Sequence, residues 1–169
     1  MGASVDQSVY LECVHFLNKE AELLNRWQLQ EWLELLADEI DYRIPIRQTK
    51  AQGALEFDEV SRFMHEDKET LKTRVARLET GFAWAEEPRS RVRHFISNAR
   101  VEKTEREGFY LVISNLLLTR IRGDATLPDI LVGERHDILG NDAKGWKLFK
   151  RTVYLDNTSL PTQSLSFFI

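Results

Sequence analysis

Four histidines, at positions 15, 65, 94 and 136, are the side chains best suited to metal or proton chemistry in this sequence, because imidazole titrates near neutrality and ligates metals through either nitrogen. His94 and His136 fall in strand-like runs, and Asp137 follows His136 directly. Those three could supply the two-histidine, one-carboxylate set that leaves open positions on non-haem iron. The spacing is not specific to such a centre, and hydrogen-bonded or exposed imidazoles account for the same residues. A Rieske cluster within the chain is excluded, since it takes two cysteines and two histidines and Cys13 is the only cysteine. Cys13 itself lies in a helical pattern, where a buried, inert thiol is expected. There is neither a Gly-x-Ser-x-Gly nucleophile elbow nor a glycine-rich phosphate loop. One enzymatic reading is left, an acid/base pocket in which Asp41, Tyr42 or His94 meets a small ligand. Against it stands the plainer reading of Tyr42 as core with a satisfied hydroxyl and Asp41 as a strand-entry charge.

A second concentration of chemistry is the stretch AWAEEPRSRVRHFISN at 83–98, where three arginines and two glutamates surround Trp84 and Pro88. Guanidinium groups suit desolvated ion pairs, because their planar fork meets a carboxylate at two points and is weakly hydrated. On a strand beginning near 91, Arg91 and Arg93 share a face with Phe95, while Val92, His94 and Ile96 share the other. Arginines beside aromatics resemble an interface composition. Internal pairing with Glu79, Glu86 or Glu87 explains the same residues, and the two readings stay open at this level.

The elements that must position these groups follow from periodicity. Ser4 and Gln7 read as a capping box, followed by an apolar stripe at Tyr10, Val14, Leu17, Ala21 and Leu24. Asn25 interrupts that helix, and Leu29, Trp32, Leu33 and Leu36 mark a second. Tyr42 to Arg47 is strand-like around Pro45, whose missing N–H confines it to an edge or a bulge; an edge strand is expected. A third helix is expected from Asp67 to about Thr80, with Leu71, Val75 and Leu78 inward and Gly81 ending it. Strand-like runs follow at 91–103, 109–121, 129–139 and 146–156. FYLVISNLLLTRI, apolar on both faces, belongs in the middle of the sheet. Helices first and strands afterwards argue an α+β class with a mainly antiparallel sheet covered on one face by the N-terminal helices.

The chain of 169 residues is long enough for one domain, 1–169, with a real core. With 23 basic against 27 acidic residues the net charge is −4, which argues against a nucleic-acid partner. No run approaches the ~18 apolar residues of a membrane span, and MGASVDQSVY lacks the features of a signal peptide, so the cytoplasm is the expected location.

RVARLETGFAWAEEPRSRVRHFISN at 74–98 resembles the signature of the beta, or small, subunit of bacterial aromatic-ring-hydroxylating dioxygenases. FLNKEAELLNRWQLQEWLELLADEIDYRIPIR at 16–47 is similar to that family's N-terminal helices and following strand, and RTVYLDNTSLPTQSLSFFI at 151–169 to its last strand and tail. Asn25 departs from the pattern, which has Asp there; both residues cap or break helices. The resemblance implies a cone-shaped fold with a strongly curved sheet, like nuclear transport factor 2, scytalone dehydratase, ketosteroid isomerase and the cystatins. It implies a noncatalytic scaffold that binds no cofactor, partnered by a large alpha subunit carrying a Rieske 2Fe-2S cluster and mononuclear Fe(II), commonly as three alpha and three beta. Such an enzyme inserts both atoms of O2 into an aromatic ring to give a cis-dihydrodiol, with electrons from NAD(P)H through a reductase and usually a ferredoxin that dock on the complex. Candidate subunit contacts are then Trp84, Arg89, Arg91, Arg93, Tyr42 and Arg47. The competing reading is a free-standing pocket enzyme or ligand binder of the same fold, built on Asp41, Tyr42 and His94.

Overall fold

The computed structural model describes residues 5–48, 57–80, 88–162 and 165–169. Two helices open the chain, α1 at Gln7–Asn25 and α2 at Leu29–Glu34. Asp6 caps α1, accepting from the Ser8 backbone N–H at 3.5 Å; the expected capping box began at Ser4, which lies outside the described residues. The buried stripe of α1 runs through Cys13, Phe16, Leu17, Glu20 and Leu24 rather than through Tyr10, which is 38% exposed. Apolar periodicity missed that rotation because the inward face carries a charge, Glu20.

Two strands follow before the third helix: β1 at Leu36–Arg47 and β2 at Phe57–Glu66. The expected second helix ran through Leu36, but that residue already opens β1, where it pairs in parallel with Leu148. Helix α3 spans Lys68–Glu79 behind a reciprocal cap, in which Asp67 accepts from the Thr70 backbone N–H at 2.9 Å while the Thr70 hydroxyl accepts from the Asp67 N–H at 2.9 Å. Four long strands complete the chain: β3 Arg91–Lys103, β4 Phe109–Ile121, β5 Asp129–Asp142 and β6 Gly145–Leu155.

The six strands form one sheet in the order β2-β1-β6-β5-β4-β3, antiparallel throughout except where β1 lies parallel to β6. The α+β class and mainly antiparallel sheet agree with the sequence, but β1 is not an edge. It lies between β2 and β6, and Pro45 is accommodated by register shifts on both sides of it, against Ile44 and Ile46. The bulge supplies what the edge would have supplied, a position where no ladder N–H is required. The true edge on that side is β2, which no periodicity announced. Its Arg62, His65 and Glu66 are tolerated because an edge strand meets water on one side.

Further shifts between Ser97 and Arg100 and between Ile138 and Leu139 bend the sheet. Asn98 takes φ 54° in the first of these, a left-handed conformation that Asn tolerates better than most side chains. The helices line the concave face, α1 along β3 and α2 and α3 against β1, and the core lies between them and the sheet. Gly133 is required where β5 meets β6, since a Cβ there would sit 2.3 Å from the Tyr154 carbonyl oxygen and 2.9 Å from Leu155 Cα. Gly133→Ala is therefore expected to cost about 1–3 kcal/mol, because both obstacles are backbone and no rotamer relieves them. Denaturant titration of the variant against wild type measures the loss.

Candidate functional site

Inside the cone lies a group of four charges. Strand alternation puts Arg135 and Asp137 on one face of β5, and the antiparallel register sets Asp137 opposite Arg151 of β6. The Arg151 Nε donates to Asp137 Oδ1 at 2.7 Å and its Nη2 to Asp137 Oδ2 at 2.9 Å. The other side of the same guanidinium reaches Glu20 on α1, Nη1 to Oε1 at 2.8 Å and Nη2 to Oε2 at 2.6 Å. Arg135 Nη2 joins Asp137 at 3.0 Å and Glu20 at 3.4 Å, and Trp32 Nε1 donates to Glu20 at 3.1 Å. All four side chains are 0–1% exposed. Burial alone would raise the Glu20 carboxyl, but the charges of Arg151 and Arg135 and the bonds from Arg151 and Trp32 outweigh it and hold it below its ordinary value. With no route to solvent, the quartet is a strut rather than an acid/base pair.

Tyr42 and His94 also point inward, and there they meet the chain's own last residues. The Tyr42 hydroxyl donates to the Ile169 carbonyl oxygen and accepts from the Ile169 N–H at 3.1 Å. Arg151 Nη1 donates to that carbonyl at 3.3 Å, and His94 Nε2 is 3.0 Å from the carbonyl oxygen of Phe168. His94 Nδ1 stands 2.8 Å from Asn25 Oδ1, which also accepts from the His94 backbone N–H at 2.9 Å, so both ring nitrogens face oxygen acceptors. Phe168 packs at 4.4 Å from the Trp32 ring, with the Arg74 guanidinium 4.6 Å away, and Phe167 lies 5.2 Å from that of Arg120. Leu24, Trp27, Val92 and His94 leave beside these rings a cavity of about 10 Å³, the size of one water. Cys13 is buried, and burial with the neighbouring Glu12 charge pushes its thiol up to about 12, so the inert-thiol expectation stands.

Two sequence readings are corrected by which way neighbouring residues face. Asp41 does not share the cone with Tyr42; it lies on the outer face, where Arg43 Nε donates to it at 2.6 Å and His65 Nε2 stands 3.1 Å away. His136 likewise faces outward, 2.7 Å from Glu134 and with its ring against Tyr154, whereas Asp137 and His94 face inward. The proposed iron triad therefore cannot converge, and among the described residues no group of three His, Cys, Asp or Glu could hold a metal.

Of the interface candidates, Tyr42 is wholly buried and cannot touch a partner in this fold. Trp84, with Glu86 and Glu87, lies outside the described residues. Arg89 is exposed over the Trp27 ring at 5.8 Å, Arg91 is exposed with Nη2 donating to the Gly123 carbonyl at 2.8 Å, and Arg93 is exposed. Arg47 is tied down, donating to the Leu155 carbonyl and to Asp156, each at 3.0 Å, under the Phe57 ring. Glu79 accepts from Gln30 Nε2 at 2.9 Å. The fastener within the motif is Ser90, which sequence reasoning passed over. Its carbonyl accepts from Trp27 Nε1 at 3.0 Å and its hydroxyl from Arg120 Nε at 2.9 Å, which holds Trp27 at φ 56°.

The outer face of β3–β5 is the largest surprise. Phe95, Leu117 and Val132 stand side by side in register, with Ile130 next to them, and the four are 39–51% exposed. Arg91 and Arg93 border this apolar strip on the same face of β3. The doubly apolar character of β4 had been visible in sequence; that one of its faces is uncovered in this chain had not.

Residues 19–162 match the model of the ring hydroxylating beta subunit. The chain belongs to that family. It is 38% identical to the biphenyl 2,3-dioxygenase subunit beta of Rhodococcus jostii, over 98% of this chain and 91% of that one. It is 34% identical to the benzene 1,2-dioxygenase subunit beta of Pseudomonas putida over the same shares. The fold matches a chain of naphthalene 1,2-dioxygenase with a TM-score of 0.87 at 24% identity, covering 98% of this chain and 88% of that one. A chain named for scytalone dehydratase from Novosphingobium aromaticivorans gives 0.65 at 13% identity, covering 89% and 85%, which places the cone in the class anticipated from sequence. This beta subunit is thus part of an oxidoreductase complex, and an alpha subunit is its implied partner. Among its described residues, no helix is long and apolar enough to cross a membrane.

The buried charges set an expected acid response. Burial, only partly offset by the bond to the Phe168 carbonyl, lowers His94 from 6.5 to about 4. An imidazole that charges more readily when unfolded contributes stability in full above pH 6.5 and loses it as pH falls to 4, about 3 kcal/mol in all. Glu20, depressed in the folded state, adds a further loss only below its ordinary carboxylate range. Chemical denaturation from pH 7 to 4 is expected to show this fall in wild type and a flatter profile in His94→Gln. Glu20→Gln leaves two buried guanidiniums facing Asp137 alone and is expected to cost about 3–5 kcal/mol at pH 7.

Proposed function

We propose that this beta subunit is a noncatalytic scaffold that orders an alpha subunit carrying the Rieske 2Fe-2S cluster and the mononuclear iron. The assembly would hold three copies of each, and NAD(P)H would supply electrons through a reductase and ferredoxin docking elsewhere on the complex. The reaction served is insertion of O2 into an aromatic ring to give a cis-dihydrodiol, in aromatic hydrocarbon catabolism. The observation that carries this reading is the filled cone: where a pocket enzyme would bind its substrate, Tyr42 and His94 hold the main chain of Phe168 and Ile169. The residues of this chain do not fit the redox groups either, having one cysteine and no convergent metal ligands among those described.

The surface proposed to meet the alpha subunit is the exposed strip of Phe95, Leu117 and Val132 with its border of Arg89, Arg91 and Arg93. An exposed arginine contributes ~0–1 kcal/mol to its own chain, whereas removing one partner of a desolvated pair typically costs about 2–5 kcal/mol. Arg91→Ala and Arg93→Ala are thus expected to leave the thermal midpoint of the lone chain unchanged and to weaken assembly with the co-expressed alpha subunit at least tenfold. Variants that assemble and turn over like wild type would remove these arginines from the contact.

A further inference from the structure

The interior of the cone is organised as a binding site around residues 165–169. This segment belongs to no helix or strand, and the described residues that follow β6, 156–162, form none. Its main-chain groups are met by side chains instead of by a ladder. Arg74 Nη2 donates to the Leu165 carbonyl at 2.6 Å, His94 to that of Phe168, and Tyr42 and Arg151 to that of Ile169. Those donors come from α3, β3, β1 and β6, four elements that meet only in the folded cone. Each aromatic side chain has its own seat, Phe168 between Trp32 and Arg74 and Phe167 below Arg120. Side-chain donors converging on the main-chain groups of a segment outside any ladder, with pockets for its side chains, form a seat for a peptide.

The seat does not depend on its occupant for its charges. Arg151 makes four short bonds to Glu20 and Asp137 and one longer bond to Ile169, so the quartet stays closed without the tail. Trp32 keeps its bond to Glu20, and Arg120 its bond to Ser90. Departure of the tail would strip the Tyr42 hydroxyl of Ile169 and Arg74 Nη2 of the Leu165 and Phe167 carbonyls, while His94 keeps Asn25 and Arg74 keeps Glu66 through Nη1.

We propose that the cone is a peptide-binding site whose resident ligand is the chain's own Leu-Ser-Phe-Phe-Ile segment, and that it takes an aromatic peptide of this class in trans when the resident one is weakened. The alternative is that the segment is ordinary core, inseparable from the rest of the fold. A full-length Phe167→Ala/Phe168→Ala variant tests this with the synthetic peptide Leu-Ser-Phe-Phe-Ile as probe. The variant is expected to melt cooperatively at a lower midpoint, to bind the peptide one to one by calorimetry, and to regain part of its midpoint in proportion to peptide concentration. Leu-Ser-Ala-Ala-Ile is expected to bind at least tenfold more weakly. A folded variant that ignores the peptide, or one that stays unfolded even when saturated with it, overturns the proposal. Wild type supplies a check that needs no variant. In hydrogen exchange the Ile169 amide, held by Tyr42, should open at least tenfold more often than the β4 amides paired with β5. Equal protection at both places means the tail leaves only on global unfolding, and the proposal fails.

Discussion

Arg151, buried in the middle of the molecule, ties together three parts of the chain that are remote in sequence. One flank of its guanidinium holds Glu20 from the first helix, the other holds Asp137 from the neighbouring strand, and one nitrogen reaches Ile169. Taking such ions out of water costs several kcal/mol each, roughly, so the arrangement is tolerable only when every partner is in place. That requirement is also a specification. A one-residue slip of β6 against β5 would send Arg151 to the outer face and leave two carboxylates buried without it, so the charges favour one register and one seating of α1.

From that constraint the two faces of the sheet acquire different characters. The concave face encloses the ion-paired quartet, in which Arg135 Nε is left without a hydrogen-bond partner among the described residues, and the segment 165–169 packed beside it. The convex face over β3–β5 is apolar and open, bordered by arginines whose side chains are exposed. A lone enzyme would invert this distribution, with an open interior and a closed exterior. The distribution supports the proposed scaffold reading, in which a partner covers the convex face.

Alternation along strands explains why candidate chemistry dissolved on folding. Asp41 and Tyr42, Arg93 and His94, and His136 and Asp137 are neighbours in sequence, yet each pair is split between the faces. The outward members make surface contacts and the inward members structural ones. Residues that do meet inside the cone, such as Glu20, Asp137, His94 and Phe168, are separated by tens of residues, and no spacing rule brings them together.

Much of the architecture was nevertheless legible. The limits of β3 and β4, the Asp67 start of α3 and the break after Asn25 follow from period-two runs, a capping residue and a helix interruption, all of which act over a few residues. Family membership was legible in the long motif at 74–98, since similar sequences preserve the same fold. Tertiary structure alone decided that Pro45 sits in a bulge inside the sheet, that Glu20 faces inward, and that Phe167 to Ile169 close the cone. Each of these depends on what a distant segment contributes: a second strand beside Pro45, two guanidiniums for Glu20, and a hydroxyl and an imidazole for the tail. Local pattern records a residue's own preference for water or for the interior, and that preference is overruled wherever a partner far along the chain repays the cost of burying it.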